Sequence, residues 1–167
     1  MLDKLIRLAY IGGSTDYYLK YGENLKHYDV NSLYPKAMCN PMPIKILGVK
    51  AGNDVELNNV FGFAEVQITT PDQLDIPLLP FKINNETLHP LGSWIGLYFT
   101  EELKEVVKHG YKVDLIQVYE FSKEYIFNDY INYFYNIKKI STGALRYIAK
   151  MLLNQLYGYF GRRKTLI

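Results

Sequence analysis

The sequence predicts an α+β fold, and three observations support this prediction. Hydrophobic residues make up 49% of the 167 residues and aromatic residues 15%, which is typical of a chain that buries a core. Residues from about Pro41 to Phe121 are mostly strand-like and are divided by prolines, which favours short strands. The last part of the chain has helical spacing instead. We therefore expect a strand-rich segment followed by helices.

The first elements are predicted from residue 27 onwards. A short strand is expected over His27-Tyr28-Asp29-Val30-Asn31, which ends in polar residues and would place Asp29 at a strand end. A helix should follow, because Ser32 suits the N-cap and Pro35 suits the first turn.

The middle segment is expected to contain strands and one helix. Residues 63–69 alternate as a half-buried strand does. Thr100 is predicted to cap the helix, with Glu101 and Glu102 in its first turn and Gly110 at its end. A further strand is predicted over residues 111–120.

Two antiparallel helices are predicted at the end of the chain. Ser122 is the expected cap of a helix running towards Lys138, and Thr142 the cap of a second helix that ends at Gly158. Four residues of the second helix fall within an arc of about 80° and form a polar stripe: Arg146, Lys150, Asn154 and Tyr157. Four apolar residues on another side are expected to anchor the helix to a core: Leu145, Ile148, Leu152 and Leu156. The stripe is either a ligand surface or the solvated side of an ordinary amphipathic helix.

Charge is distributed unevenly along the chain. No acidic residue follows Asp129, and seven basic residues do: Lys138, Lys139, Arg146, Lys150, Arg162, Arg163 and Lys164. Such a region favours phosphate binding, although a solvated basic face is the simpler interpretation.

Several other classes are disfavoured. A single cysteine, Cys39, cannot form an intramolecular disulfide, and three scattered histidines do not suggest a zinc site. Without a long apolar run or a recognisable leader, we expect an intracellular protein that does not contact membranes. Abundant Lys, Asn, Ile and Tyr suggest A+T-rich coding DNA, as in an organelle, plasmid or virus.

Three sequence elements resemble a known family. Residues 28–35, YDVNSLYP, resemble motif A of the family B DNA polymerases, and residues 150–158, KMLLNQLYG, resemble their motif B. Residues 10–13, YIGG, look like the Tyr-x-Gly-Gly element of the protein-primed branch, which includes phage and mitochondrial linear-plasmid enzymes. The resemblance implies that residues 1–41 form part of a palm and residues 122–167 the fingers helices. Residues 42–121 would then be an insertion that contacts a terminal priming protein.

The resemblance also implies roles for individual residues in templated DNA synthesis. Such synthesis requires two Mg²⁺ ions held largely by carboxylates, and Asp29 with the main-chain carbonyl of Val30 matches one set of ligands. The residues implied in dNTP binding are Val30, Tyr34, Lys138, Lys150 and Asn154. Those implied in binding the DNA template-primer are Tyr10, Gly12, Gly13, Arg146, Tyr157, Gly158 and Arg162. Gly158 and the two glycines of YIGG also suit plain turns.

The sequence departs from the family pattern in ways that affect its expected activity. Gln155 replaces the serine usual after the motif B asparagine, and neither an Asp-Thr-Asp motif nor an exonuclease segment is present in the 167 residues. We therefore expect that the isolated chain does not extend a primer. A non-catalytic nucleic-acid-binding protein and an untranslated reading frame are the alternatives. If the chain is expressed, we expect a mitochondrial, viral or plasmid origin.

Overall fold

The computed structural model describes residues 2–13, 15, 19–83 and 86–162, and the chain forms two compact units. The first unit comprises Met1–Asp16 and Pro43–Lys123, and the second comprises Tyr17–Met42 and Glu124–Ile167. Helices and strands are both well represented, as an α+β fold requires. Within the described residues, no helix is both long enough and apolar enough to cross a membrane.

The first unit is built on a four-stranded sheet. Its strands and helices are β1 (Met42–Ala51), β2 (Gly62–Thr69), β3 (Phe81–Ile83), β4 (Glu86–Leu88), β5 (Ser93–Phe99), β6 (Lys112–Glu124), α1 (Leu2–Ile6) and α3 (Thr100–Lys108). The strand order is β1-β6-β2-β5, with β2 antiparallel to both β5 and β6, while β3 and β4 form a separate two-stranded sheet.

The core of the first unit lies between β2 and α3. Ala64, Val66 and Ile68 alternate along β2 and are fully buried, as the two-residue period of the sequence predicted. Leu103 and Val106 are buried in the same core and lie three positions apart, hence on one face of α3. The predicted strand at residues 63–69 and the predicted helix are both confirmed.

The expected cap of α3 is wrong. Phe99 occupies the N-cap position, and Thr100 is the first helical residue, with no side-chain capping bond at this end. The buried Thr100 hydroxyl instead accepts a hydrogen bond from the Gly62 N–H at 3.1 Å. Gly110 follows the helix with a φ of +86°, which agrees with its predicted role at the helix end.

Gly62 is expected to be essential for the stability of this sheet. Its φ is +147°, and a Cβ placed there would lie 2.1 Å from the Tyr119 carbonyl oxygen. We expect Gly62→Ala to destabilise the unit by at least about 2 kcal/mol, because a forced backbone conformation and overpacking each cost about 1–3 kcal/mol. Fluorescence of Trp94, the single tryptophan, would follow urea unfolding. Gly48→Ala is the control, since its Cβ would meet open space. Equal midpoints for the two variants would contradict this account.

The second unit consists of three helices: α2 (Leu33–Met38), α4 (Asn128–Ile140) and α5 (Gly143–Phe160). Met38, Ile131 and Leu153, one from each helix, form its buried core. The connection between α4 and α5 is only two residues long. Near that connection the Arg146 guanidinium donates to the Lys138 carbonyl, and farther away the Tyr130 hydroxyl donates to the Leu152 carbonyl. The two helices are therefore antiparallel, as predicted.

Several boundaries in the second unit differ from the prediction. Ser122 does not begin α4, because it lies in β6, where its hydroxyl accepts a bond from the Lys45 N–H at 3.2 Å. Thr142 does precede α5 but makes no side-chain capping bond. Gly158 does not end α5, which continues to Phe160, because Gly158 lacks the positive φ of a helix-terminating glycine.

The side of α5 that anchors it also differs from the prediction. The buried residues are Ala149 and Leu153, while Leu152 and Leu156 are half-buried. Leu145 and Ile148, both predicted anchors, are more than half exposed. The buried side of α5 therefore lies closer to the polar stripe than the sequence predicted. Helices α2 and α4 both pack against α5, and Leu153 lies in their shared core, with Ala149 one turn before it on the same side.

The predicted strand at residues 27–31 is wrong. Residues 27–30 have no regular secondary structure and are exposed. A strand is stabilised by hydrogen bonds to a neighbouring strand, and no described strand pairs with this segment. Asp29 therefore lies in an irregular, exposed segment that leads through a turn into α2.

Candidate active site

The candidate site is in the second unit and begins with residues 29–34. Asp29, Val30 and Asn31 are exposed, and a turn at Asn31 and Ser32 leads into α2. Ser32 occupies the N-cap position, but with a φ of +56° and a ψ of +48° its backbone is left-handed. Its carbonyl accepts the Lys36 N–H at 2.9 Å, while its hydroxyl makes no capping bond. The sequence correctly located the start of the helix, but the serine does not cap it in the way expected.

Asp29 is the metal ligand that the sequence predicts. Its exposed carboxylate and the adjacent Val30 carbonyl are oxygen donors, which Mg²⁺ prefers. Among the described residues, three or more His, Cys, Asp or Glu side chains do not come together in any place suited to a metal ion. Since Mg²⁺ commonly uses one or two carboxylates together with phosphates and water, Asp29 can hold such an ion only as part of a larger set of ligands.

Tyr34 and Tyr157 form an aromatic pair between α2 and α5. Their ring centroids are 5.0 Å apart and their planes are inclined by 33°. Tyr34 remains 42% exposed, so part of its ring is open to a ligand. This contact brings together one residue from the motif A segment and one from the polar stripe, which are more than 120 positions apart in the sequence.

Lys138 connects α4 to the same segment. Its Nζ donates a hydrogen bond to the Ser32 hydroxyl at 2.8 Å and lies 5.6 Å from the centre of the Tyr135 ring. Arg146 in turn donates to the Lys138 carbonyl at 2.5 Å. Lys138 and Arg146 are therefore adjacent, and the Lys138 side chain reaches the segment that follows Asp29.

Lys150 and Asn154 complete the polar stripe of α5, and both are exposed. On the helix they lie in the same arc as Arg146 and Tyr157. Tyr157 contacts Tyr34, so this part of the arc meets the motif A segment, while Arg146 contacts the main-chain carbonyl of Lys138 on α4. Lys150 lies between them on the arc, one turn after Arg146 and two turns before Tyr157.

The remaining predicted site residues are Tyr10, Gly12, Gly13, Gly158 and Arg162. Tyr10, Gly12 and Gly13 are in the first unit, where Tyr10 is half-buried and the two glycines are exposed. Gly158 is an exposed residue within α5, and an added Cβ there would meet no atom within 4 Å. Arg162 follows α5, with its guanidinium 5.6 Å from the centre of the Tyr159 ring.

Two residues of the site were not identified from the sequence. Ser32 was interpreted only as a helix cap, although its hydroxyl contacts Lys138. Tyr135 was not considered, and its ring lies beside the same ammonium. A tyrosine three positions before a lysine on one helix is a signal for such a contact, because these positions are neighbours on the helix surface.

The chain is similar to known DNA polymerases over nearly its whole length. A family model described as DNA polymerase type B, organellar and viral, matches residues 1–165. A probable DNA polymerase of Neurospora intermedia is 42% identical over 96% of this chain, and the DNA polymerase of Bacillus phage Nf is 33% identical over 95%. The chain spans 18% of the Neurospora protein and 31% of the phage protein.

Solved structures of Phi29 DNA polymerase are also similar to the chain. An orthorhombic crystal form matches 97% of this chain with a TM-score of 0.74 and 26% identity. A ternary complex with primer-template DNA and incoming nucleotide substrates matches 95% with a TM-score of 0.67 and 28% identity. In each case the matched part is 31% of the solved chain.

Proposed function

The chain belongs to the organellar and viral type B DNA polymerases, as its motifs indicated, and we propose that it forms the nucleotide-binding part of a DNA-directed DNA polymerase. The observation that carries this proposal is that Lys138 and Tyr157 both contact the segment that follows Asp29, through Ser32 and Tyr34 respectively. A cation and an aromatic ring thus contact residues within five positions of the Asp29 carboxylate in the sequence, a combination suited to a deoxynucleoside triphosphate and its metal.

The reaction proposed for the complete enzyme is template-directed addition of a deoxynucleotide to a primer. The primer 3′-hydroxyl attacks the α-phosphorus of the dNTP, and pyrophosphate leaves. Two bound Mg²⁺ ions would activate the attacking oxygen and neutralise the leaving group. Asp29 and the Val30 carbonyl would provide ligands to this metal site. Lys138 and Lys150 would neutralise triphosphate charge. Lys138 contacts Ser32, three positions after Asp29, and Lys150 lies on the same arc of α5 as Tyr157.

We further propose how the chain contacts DNA. The Phi29 ternary complex contains primer-template DNA and incoming nucleotides, and the likeness to it supports such partners here. Asn154 would lie at the incoming nucleotide, and the residues proposed for the template-primer are Tyr10, Gly12, Gly13, Arg146, Tyr157, Gly158 and Arg162. Residues 42–121 would contact a terminal priming protein. The DNA replicated would be a mitochondrial DNA or a linear plasmid, and the family description, organellar and viral, supports this part of the proposal.

Tyr34 provides the experiment that tests this function. Its half-open ring lies against Tyr157, where it can support the sugar of a nucleotide and exclude a 2′-hydroxyl. In a complete polymerase carrying this segment, we expect Tyr34→Ala to reduce discrimination against ribonucleotides by about 10–100-fold, the usual range for steric selection. Single-nucleotide insertion kinetics with dATP and ATP would measure the ratio of kcat/KM values.

Two further variants make this test specific. Tyr34→Phe keeps the ring and should retain discrimination, whereas Tyr133→Ala removes an exposed tyrosine of α4 outside the site and should change nothing. Unchanged discrimination in Tyr34→Ala, with activity retained, would contradict the proposed nucleotide site.

A non-catalytic nucleic-acid-binding role is the second candidate. The run of basic residues after Asp129, with no acidic residue among them, favours it. Such a protein would bind DNA in a strongly salt-dependent manner. A segment with only this role would show no preference for dNTPs, and Tyr34→Ala would not change the discrimination between dATP and ATP. The insertion experiment described for Tyr34 therefore separates the two functions.

A further inference from the structure

Ser32 has a backbone conformation that is unusual for its residue type. A φ of +56° with a ψ of +48° is left-handed, a region that residues with a Cβ rarely adopt. The side chain does not compensate locally, since it makes no capping bond to α2. Its hydroxyl accepts a bond from Lys138 Nζ instead, across 106 positions of sequence. An unfavourable conformation maintained beside a candidate site suggests a function for that contact.

Lys138 is held at two points. Its ammonium is bound by the Ser32 hydroxyl, and its main-chain carbonyl accepts a bond from the Arg146 guanidinium. No ion pair found among the described residues includes Lys138. The Tyr135 ring also lies near the Lys138 ammonium, and like the Ser32 hydroxyl it carries no charge. The ammonium is therefore oriented without being neutralised.

We propose that Ser32 is a positioning residue that aims the Lys138 ammonium at the triphosphate site beside Asp29. This inference rests on the proposed function, since it assumes that a nucleotide binds there. An ammonium has three N–H donors, so a single bond to Ser32 leaves two for phosphate oxygens. A carboxylate in place of the hydroxyl would cancel the charge, whereas alanine or glycine would leave the long lysine side chain free to move away.

The contact itself can be tested on the 167-residue chain without any nucleotide. Nitrogen-15 NMR of the lysine side chains, with Lys138 assigned from the spectrum of Lys138→Arg, reports how fast each ammonium exchanges protons with water. We expect slower exchange at Lys138 than at the exposed Lys139, and loss of that difference in both Ser32→Ala and Ser32→Gly. Equally fast exchange at the two lysines in the unsubstituted chain would overturn the proposal.

The role in binding can be tested with Mg²⁺-dATP and, as a phosphate-only probe, inorganic tripolyphosphate. Titration calorimetry of the same chain should show binding of dATP about 3–10-fold weaker for Ser32→Gly, with a similar loss for Ser32→Ala. In a Lys138→Gln background, Ser32→Gly should have no further effect, because the hydroxyl acts only through Lys138. Lys139→Gln is the matched control and should change affinity by less than about twofold.

The possible results separate this proposal from the proposed function. If the unsubstituted chain binds dATP but Ser32→Gly binds equally well, the Ser32 proposal is wrong and the nucleotide site stands. An effect of Ser32→Ala that Ser32→Gly does not share would indicate backbone strain and would also overturn it. If Ser32→Gly weakens the binding of both tripolyphosphate and dATP, the hydroxyl acts on the contacts to the phosphates. Failure of the unsubstituted chain to bind either probe would overturn both proposals.

Discussion

Replacing Asp29 by asparagine is expected to reduce templated nucleotide addition by at least about 10³-fold in a complete polymerase that carries this segment. Asparagine keeps the shape of the side chain and one of its oxygens but removes the negative charge. Mg²⁺ is held at such sites by charged oxygen ligands, and the exposed carboxylate of Asp29 provides the charge on the segment leading into α2. Primer extension under single-turnover conditions would measure the loss.

The matched control for Asp29 is Asp129→Asn. Asp129 is an exposed carboxylate in the same unit, in the first turn of α4, and belongs to no part of the proposed site. Its replacement should leave the extension rate within about threefold of the unsubstituted enzyme. In the 167-residue chain, Mn²⁺ should broaden the backbone NMR signals of residues 28–31, and the Asp29→Asn change should abolish this broadening. Retention of more than a tenth of the extension rate in Asp29→Asn would exclude a metal-binding role for this residue.

The capping errors made from the sequence have a common physical cause. Ser32, Thr100 and Ser122 were each predicted to cap the helix that follows, because a hydroxyl before a helical segment usually bonds to a nearby N–H. In the structure each hydroxyl accepts a bond from a residue far away in sequence: Lys138, Gly62 and Lys45 respectively. Sequence patterns report local partners, whereas these hydroxyls are used to connect distant elements. This is why the helices were largely identified while the roles of their first residues were not.

The polar stripe of α5 could be predicted because it depends only on local geometry. The period of an α-helix alone places four residues on one arc: Arg146, Lys150, Asn154 and Tyr157. Which side of the helix is buried depends on what packs against it, and here α2 and α4 bury Ala149 and Leu153 rather than Leu145 and Ile148. The motifs thus predicted which residues belong to the candidate site, while the contacts among those residues required the tertiary structure. Residues 27–31 show the same limit, since a strand depends on a partner strand that its own sequence does not specify.

Lys150→Gln is expected to lower kcat/KM for dNTP incorporation by about 10²-fold in a complete polymerase, with little effect on binding of primer-template DNA. The exposed Lys150 lies on the same arc of α5 as Tyr157, whose ring contacts Tyr34 of the motif A segment, where the triphosphate is proposed to lie. Removing one positioned donor that stabilises developing negative charge typically costs about 10²–10³-fold. Lys150→Arg keeps the charge and should recover part of the rate, although the shape of its donor group differs. Pre-steady-state incorporation over a range of dNTP concentrations would measure both constants.

The expected effect of Lys150 depends on its position rather than on its charge alone. Lys139 carries the same charge on α4 but makes none of the site contacts, so Lys139→Gln should reduce incorporation by less than about twofold. If the basic region acted only as a general electrostatic attractor, the two substitutions would have similar effects, and both would weaken DNA binding in a salt-dependent way. A large loss confined to Lys150, with DNA affinity maintained, would therefore support a nucleotide-binding helix and argue against a merely basic surface. Equal losses at both lysines would favour the non-catalytic nucleic-acid-binding role.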